Sequence, residues 1–286
     1  MTTMTRRRAL HALGLSIASV PVMKLTGCGS NTSGMTIDAP ASNTDGPGSN
    51  AGDGDNCGGP AAAWAMGGTA AMTAKACYPD PFGASTTSCA LMCATTAGPC
   101  TAPTSERRDV SDGVTGLPMR LALKIVRSDG CTPVAGAVVE IWHTQRTGVY
   151  SGQTPSPGFC SGGDAQAPSL NYMRGTQTTD ANGRVDFDTC FPGWYPGRCI
   201  HIHVSVTIGT SAYVITQLFF ADSLNQEVFA SHAEYSQFGQ PNTSNNADGI
   251  FGAPNVVETA RMSDGAMLAW KVIGIRSTLN QALCNL

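Results

Sequence analysis

From Ser105 onward, apolar and polar residues alternate along much of the chain. Positions i and i+2 of a strand share a face, so this period predicts half-buried β-strands. Met119 to Val126 sets Leu121, Leu123 and Ile125 against Arg120, Ala122 and Lys124. A turn at Asp129-Gly130 leads to a second strand, Ala137 to His143. Met173 to Thr179 and Arg184 to Thr189 read as a hairpin, because Asp180-Ala181-Asn182-Gly183 supplies residues that accept positive φ. Ile200, Ile202, Val204, Val206 and Ile208 then alternate with His201, His203, Ser205 and Thr207. Tyr213 to Phe220 places Tyr213, Ile215, Gln217 and Phe219 on one face, and Met267 to Ile275 closes the series. Between these lie a long Gly/Ser/Pro-rich loop, 144–171, and a loop-rich stretch, 221–262, with a short helix near Ser223 to Tyr235. Many short strands with turn signals between them predict an all-β domain, a β-sandwich over 105–286.

Before residue 105 the alternation is missing, and three segments of different character take its place. Residues 1–27 read as an export signal: Arg6, Arg7 and Arg8 form a twin-arginine n-region, followed by an apolar run from Ala9 to Met23. Leu25-Thr26-Gly27-Cys28 resembles a bacterial lipobox, which predicts a lipid anchor on Cys28 and an extracytoplasmic location. Residues 28–56 are Gly, Ser, Asn, Asp, Thr and Pro with almost no large apolar side chain, the composition of a disordered tether. Residues 57–104 are rich in Ala and Cys; they predict a disulfide-stapled arm packed on the main domain, with helical turns at Ala61 to Met66 and Ala70 to Ala76. Such an arm is too short and too poor in large apolar residues to stand alone. Cleavage of 1–27 removes Arg6, Arg7, Arg8 and Lys24 and no acid, taking the formal charge from −3 to −7. That balance argues against nucleic acid or an anionic membrane surface as an electrostatic partner. Of the eleven cysteines, ten remain beside Cys28. In an oxidising compartment they predict up to five disulfides, with Cys190 and Cys199 as structural partners of each other or of other cysteines.

The candidate chemistry sits on the strand from Ile200. Its aliphatic residues face a core, so His201 and His203 point together to the other side, spaced to share one metal ion. Tyr195 precedes His201 by six residues, and Tyr150 opens the long loop. A phenolate is a hard anionic ligand that selects a hard, high-charge ion such as Fe(III). Two phenolates also hold iron in the ferric state. The same residues admit plainer roles: Tyr195 as a turn aromatic, Tyr150 as a loop aromatic and Arg198 as an ion-pair residue. A zinc or copper site on His201 and His203 is a further reading. His143 reads as a satisfied strand-end histidine and His232 as a surface one.

The motifs taken together point to a known family. Gly136-Ala137-Val138-Val139-Glu140-Ile141-Trp142-His143, Gly148-Val149-Tyr150-Ser151, Thr179-Asp180-Ala181-Asn182-Gly183, Pro192-Gly193-Trp194-Tyr195 and Arg198-x-x-His201-Ile202-His203 resemble the intradiol ring-cleavage dioxygenases, which include catechol 1,2-dioxygenases and protocatechuate 3,4-dioxygenases. Thr96-Ala97-Gly98-Pro99 resembles the segment that opens their catalytic core. The resemblance covers about residues 89–275. It implies a mononuclear Fe(III) held by Tyr150, Tyr195, His201 and His203, and a reaction that opens a catechol ring with O₂ to a cis,cis-muconate-type product. It implies that Tyr195 leaves the iron when substrate chelates, that Arg198 stabilises negative charge developing on the substrate, and that Gln217 supports the site from the next strand. A non-catalytic catechol- or metal-binding protein on the same fold is the alternative. Two positions depart from the family pattern: Gln145 stands where an Asp is frequent, and Cys100 where an aromatic residue is frequent. The long helical segment by which catechol 1,2-dioxygenases dimerise is not evident, so their dimer is not carried over.

Overall fold

The computed structural model describes residues 57–83 and 89–285, so the expected export signal, lipobox and tether fall outside the described residues. Eight strands form two four-stranded sheets. In chain order they are β1 (Pro118–Arg127), β2 (Val138–Trp142), β3 (Arg174–Thr178), β4 (Arg184–Cys190), β5 (His201–Ile208), β6 (Ser211–Phe219), β7 (Glu258–Arg261) and β8 (Met267–Ile275). The first sheet runs β4-β1-β8-β7 and the second β3-β2-β5-β6. All pairings are antiparallel except β1 with β8. Between the sheets lie Leu121, Leu123 and Ile125 of β1, Val139 and Ile141 of β2, and Ile202, Val204 and Val206 of β5, all fully buried. Burying an aliphatic side chain of this size contributes about 1.5–3 kcal/mol. The aliphatic set of β5 therefore faces the core as its alternation requires, and the β-sandwich expectation holds.

The expected hairpin over 173–189 is a crossover between sheets. The turn itself forms: Gly183 N donates to Asp180 O at 3.0 Å, and Asp180 Oδ1 accepts from Asn182 N and Arg184 N, each at 2.8 Å. Yet β3 pairs with β2, whereas β4 pairs with β1. Gly183 (φ 72°) is pressed against β1, where a Cβ would come within 2.4 Å of Ile125 O. That close approach commits β4 to the first sheet while β3 stays in the second. Strand β7 falls in the stretch read as loop; it is four residues long and only partly buried, so it leaves no alternation to read. The helix expected near Ser223 to Tyr235 spans Asp222–Ser231.

The arm packs on the main domain, as expected, but Ala61 to Met66 is not helical. The regular turns there are 3₁₀, at Gly68–Ala71 and Lys75–Cys77. Trp64 Nε1 donates to Glu227 at 2.8 Å beneath the Arg261 guanidinium, and Tyr78 Oη donates to Asp264 at 2.8 Å. Four disulfides form among the described residues: Cys57–Cys77 within the arm, and Cys89–Cys131, Cys93–Cys284 and Cys100–Cys160 between arm and domain. The expected pairing of Cys190 and Cys199 is corrected: both are buried free thiols. Cys190 ends β4 in the first sheet and Cys199 precedes β5 in the second. His232 is corrected too. It is buried, with Nε2 on Ala65 O of the arm at 2.9 Å and Nδ1 accepting from Glu234 N at 3.2 Å.

Candidate metal centre

The site is laid out on the outer face of the second sheet by strand register. Trp142 stands opposite Arg174 on one side and His203 on the other, and His203 stands opposite Gln217. Directly opposed residues of antiparallel strands share a face. Arg174, Trp142, His203 and Gln217 thus form one row across four strands, with His201 two residues along on the same face. Trp142 stacks on His203, ring centroids 4.8 Å apart and planes 8° apart. This face is turned from the core, yet both imidazoles are 3% exposed, because the arm and the 144–171 loop cover it. Gly98 of the arm lies directly on His203: a Cβ there would sit 3.4 Å from the ring carbon Cε1.

Two loops bring the phenols to the histidines. Tyr150 N donates to Cys160 O at 2.9 Å, fixing the start of the long loop. Tyr195 follows the Pro192-Gly193 break after β4. The loops meet backbone to backbone: Gly193 N donates to Gln145 O at 3.2 Å, and a Cβ on Gly148 (φ 79°) would come within 2.0 Å of Trp194 O. As a result Tyr150 Oη lies 3.1 Å from His201 Nε2 and 3.2 Å from His203 Nε2. Tyr195 Oη lies 3.2 Å from His201 Nε2. The structure therefore gathers all four residues read as ligands.

The hydrogen-bond inventory shows what this arrangement fits. His201 Nδ1 is 2.7 Å from Cys199 O. A carbonyl only accepts, so Nδ1 carries the proton and Nε2 offers one lone pair. Two phenols converge on that lone pair, and the one phenol of Tyr150 faces two imidazoles. A single cation among the four atoms satisfies all of them at once. Donors bound at about 2.0–2.2 Å to one ion, at right or trigonal angles, lie roughly 2.8–3.8 Å apart, and the separations here fall within that range. A ligating histidine also commonly gives its other N–H to a backbone carbonyl, as His201 does. Among the described residues no three His, Cys, Asp or Glu gather, so the phenols are needed to complete a donor set.

Burial dominates the electrostatics. It draws His201 down to about 3, helped by the Arg198 charge, and His203 well below the ordinary imidazole range, helped by His201 and Arg198. Burial raises Tyr150 well above an ordinary phenol, reinforced by Tyr195. It raises Tyr195 as well, against the opposing hydrogen bond from Tyr150 and the charge of Arg198. Without a cation the set is neutral at pH 7; a bound cation displaces the phenol protons.

Arg198 and Gln217 are coupled at the site. Arg198 Nη2 donates to Gln217 Oε1, and Gln217 Nε2 donates to Thr96 O of the arm at 2.9 Å. The partner that orients Arg198 is Asp248, which the sequence reading missed. Its Oδ2 accepts from Arg198 Nε and from Cys199 N, both at 2.8 Å, and its Oδ1 accepts from Ile250 N at 2.9 Å. Burial pushes the Asp248 carboxyl up, but the hydrogen bonds from Ile250, Cys199 and Arg198 outweigh it and hold the carboxyl below its ordinary value. Arg198 is thus an ion-pair residue and a site residue together. His143 is the satisfied strand-end histidine expected, bonded to Thr144 O and Thr189 Oγ1, each at 2.9 Å.

A family model described as dioxygenase matches residues 96–255, more than half of the chain, and that span holds Tyr150, Tyr195, Arg198, His201, His203, Gln217 and Asp248. The chain belongs to the intradiol ring-cleavage dioxygenase family. An intradiol ring-cleavage dioxygenase from Tetranychus urticae matches it with TM-score 0.59 and 28% identity, covering 68% of this chain and 98% of that one. A second solved dioxygenase matches with TM-score 0.60 and 28% identity, covering 68% of this chain and 97% of the other. Chlorocatechol 1,2-dioxygenase from Rhodococcus opacus is 26% identical over 114 residues, 33% of this chain and 40% of that relative's length. Beside the four candidate ligands, Phe159 adds an aromatic edge that the motifs did not flag. It is 59% exposed and stands edge-on to Tyr195 at 5.8 Å.

Proposed function

We propose that this chain is an Fe(III)-dependent dioxygenase that opens a catechol-type ring with O₂ to a cis,cis-muconate-type product. The observation that carries the reading is the convergence of Tyr150, Tyr195, His201 and His203, with the lone pair of His201 Nε2 aimed at both phenols. A ferric ion held by these four would draw electron density from a chelated catecholate, so that a ring carbon reacts with O₂. The chain's own residues divide the remaining work. Tyr150 is 2% exposed and held by its backbone, so it stays; Tyr195 is only partly buried, so it is the one free to swing, and as the phenolate left by a bound cation it would take a proton from a substrate hydroxyl. Arg198, gripped by Asp248 and Gln217, presents a fixed positive charge to the negative charge that builds on the substrate. Gly98 and Trp142 cover His203 and keep water from it.

We further propose an extracytoplasmic, lipid-anchored protein exported by a twin-arginine-type signal. Four disulfides among the described residues support an oxidising compartment. Replacing Cys28 by Ser then releases the protein from the membrane fraction; continued membrane retention contradicts the anchor. The activity is tested by loading the protein with iron and offering a panel of catechols while O₂ and ring-opened product are followed. A wine-red protein that consumes O₂ with catechol is expected. A colourless protein that takes up only zinc or copper overturns the iron assignment, and a red protein without turnover makes it a binder.

A further inference from the structure

Tyr150 is the one candidate ligand carried by a long irregular loop, and a buried cation lies behind that loop. Arg174, the first residue of β3, is 1% exposed and heads the fully buried side chains in size. Among the described residues no ion pair includes it. Its guanidinium is committed to two chain segments instead. Nε donates to Ser151 Oγ at 3.1 Å, Nη2 donates to Ser151 O and to Cys100 O (3.3 Å), and Nη1 has no partner. Ser151 Oγ in turn donates a hydrogen bond to Tyr172 O at 2.6 Å. Gly152 (φ 90°) lets the backbone close on the guanidinium, since a Cβ there would lie 3.2 Å from Arg174 Nε and 2.7 Å from Ala102 Cβ.

These contacts form a closed circuit around Tyr150. Arg174 holds Ser151, the next residue, and also holds Cys100. Cys100 is bonded to Cys160, and Cys160 O accepts the Tyr150 N–H at 2.9 Å. Leaving a guanidinium buried without a carboxylate costs several kcal/mol. A loop needing only cohesion could be held by neutral side chains without that cost. What a guanidinium adds is a rigid planar fork that sets two acceptors at fixed distance and angle. Both of its acceptor segments lead to Tyr150.

We propose that Arg174 and the Cys100–Cys160 disulfide are a positioning anchor that seats the Tyr150 oxygen against His201 and His203. The inference rests on the ferric reading of the site. The Arg174 guanidinium bonds to Ser151 and Cys100 rather than to any of the four candidate ligands, and acts through the loop.

The test uses the full chain loaded with ferric iron, in wild type, Arg174→Lys, Arg174→Gln and Cys100→Ser/Cys160→Ser. Two readouts report on the site apart from turnover: the phenolate-to-iron absorption band and the rate of iron transfer to a ferric chelator. Arg174→Lys keeps the charge and loses the fork. The band is expected to shift in Arg174→Lys and in the double serine variant, with iron transferred about 10–100-fold faster. Circular dichroism of the metal-free variants checks the fold. Band and transfer rate matching wild type in both variants, with only the melting temperature lowered, overturns the inference and leaves Arg174 as a fold residue. A wild type that shows no phenolate band on ferric loading is a different outcome: it removes the ferric reading, and the anchor with it.

Discussion

Replacing Asp248 by Asn is the most informative single change outside the ligand set. The side chain keeps its shape and loses its charge. Asp248 now accepts three hydrogen bonds, from Arg198 Nε and Cys199 N at 2.8 Å and from Ile250 N at 2.9 Å. An amide has one accepting oxygen. If that oxygen stays with Arg198 and Cys199, the amide NH₂ confronts the Ile250 N–H; if it turns to Ile250, both other donors lose their acceptor. The carboxylate is 1% exposed, so no solvent fills the gap. Leaving such a donor unsatisfied costs about 1–3 kcal/mol. Where that cost falls on the orientation of Arg198, it becomes a loss of kcat/KM of about 5- to 150-fold, since about 1.4 kcal/mol is tenfold. Iron retention should change far less, because no ligand atom is removed. The assay is steady-state ring opening by iron-loaded protein, with metal content and melting temperature measured alongside. A variant with kcat/KM within about twofold of wild type at unchanged stability refutes the argument that Asp248 aims Arg198.

Tyr195→Phe should keep most of its iron, shift the colour and lose at least about 100-fold in kcat, the range of a lost proton acceptor; unchanged kinetics contradicts its role as the mobile phenol. Gly148→Ala should fail to retain iron, because its Cβ would fall 2.0 Å from Trp194 O and force apart the loops that carry both tyrosines; metal content reads this directly. The Asp188 carboxylate, paired with Arg120 at 2.8 Å and Lys75 at 2.9 Å, predicts an acid limit to stability. Burial pushes its pKa up, but hydrogen bonds from Arg120 and Lys75 outweigh it and hold the group below its ordinary value. Its contribution is therefore complete above about pH 4, the unfolded carboxylate value, and is lost as pH falls through the lowered one. Melting temperature should fall on that side, and Asp188→Asn should flatten the fall while lowering stability at neutral pH.

Local chemistry was legible in the chain, and distant partners were not. The alternation over Ile200 to Ile208 placed His201 and His203 on one face because a strand's period allows nothing else. The turn at 180–183 was equally legible as a reversal. Turn chemistry does not name the sheet that each arm joins, so β3 and β4 were assigned to each other when the approach of Gly183 to Ile125 sends β4 to β1. The burial of His232 is not legible in sequence, because its partner, Ala65, lies 167 residues away in an arm without periodicity. Asp248 escaped because it reaches Arg198 across 50 residues from a loop-rich stretch. Cys190 and Cys199 bracket the site in sequence, but their strands enter different sheets. The four candidate ligands were reached because two lay on a regular strand and two within motifs, and the structure brings their atoms together.

An intradiol site is defined by which bond of the ring it breaks. Iron-loaded protein given catechol in oxygenated buffer, with the product identified by its absorption and mass, tests it most directly. The expected product is a cis,cis-muconate, cleaved between the two hydroxyl-bearing carbons, with one O₂ consumed for each ring opened. A semialdehyde from cleavage beside the diol, or catechol recovered intact from iron-loaded protein, would contradict it.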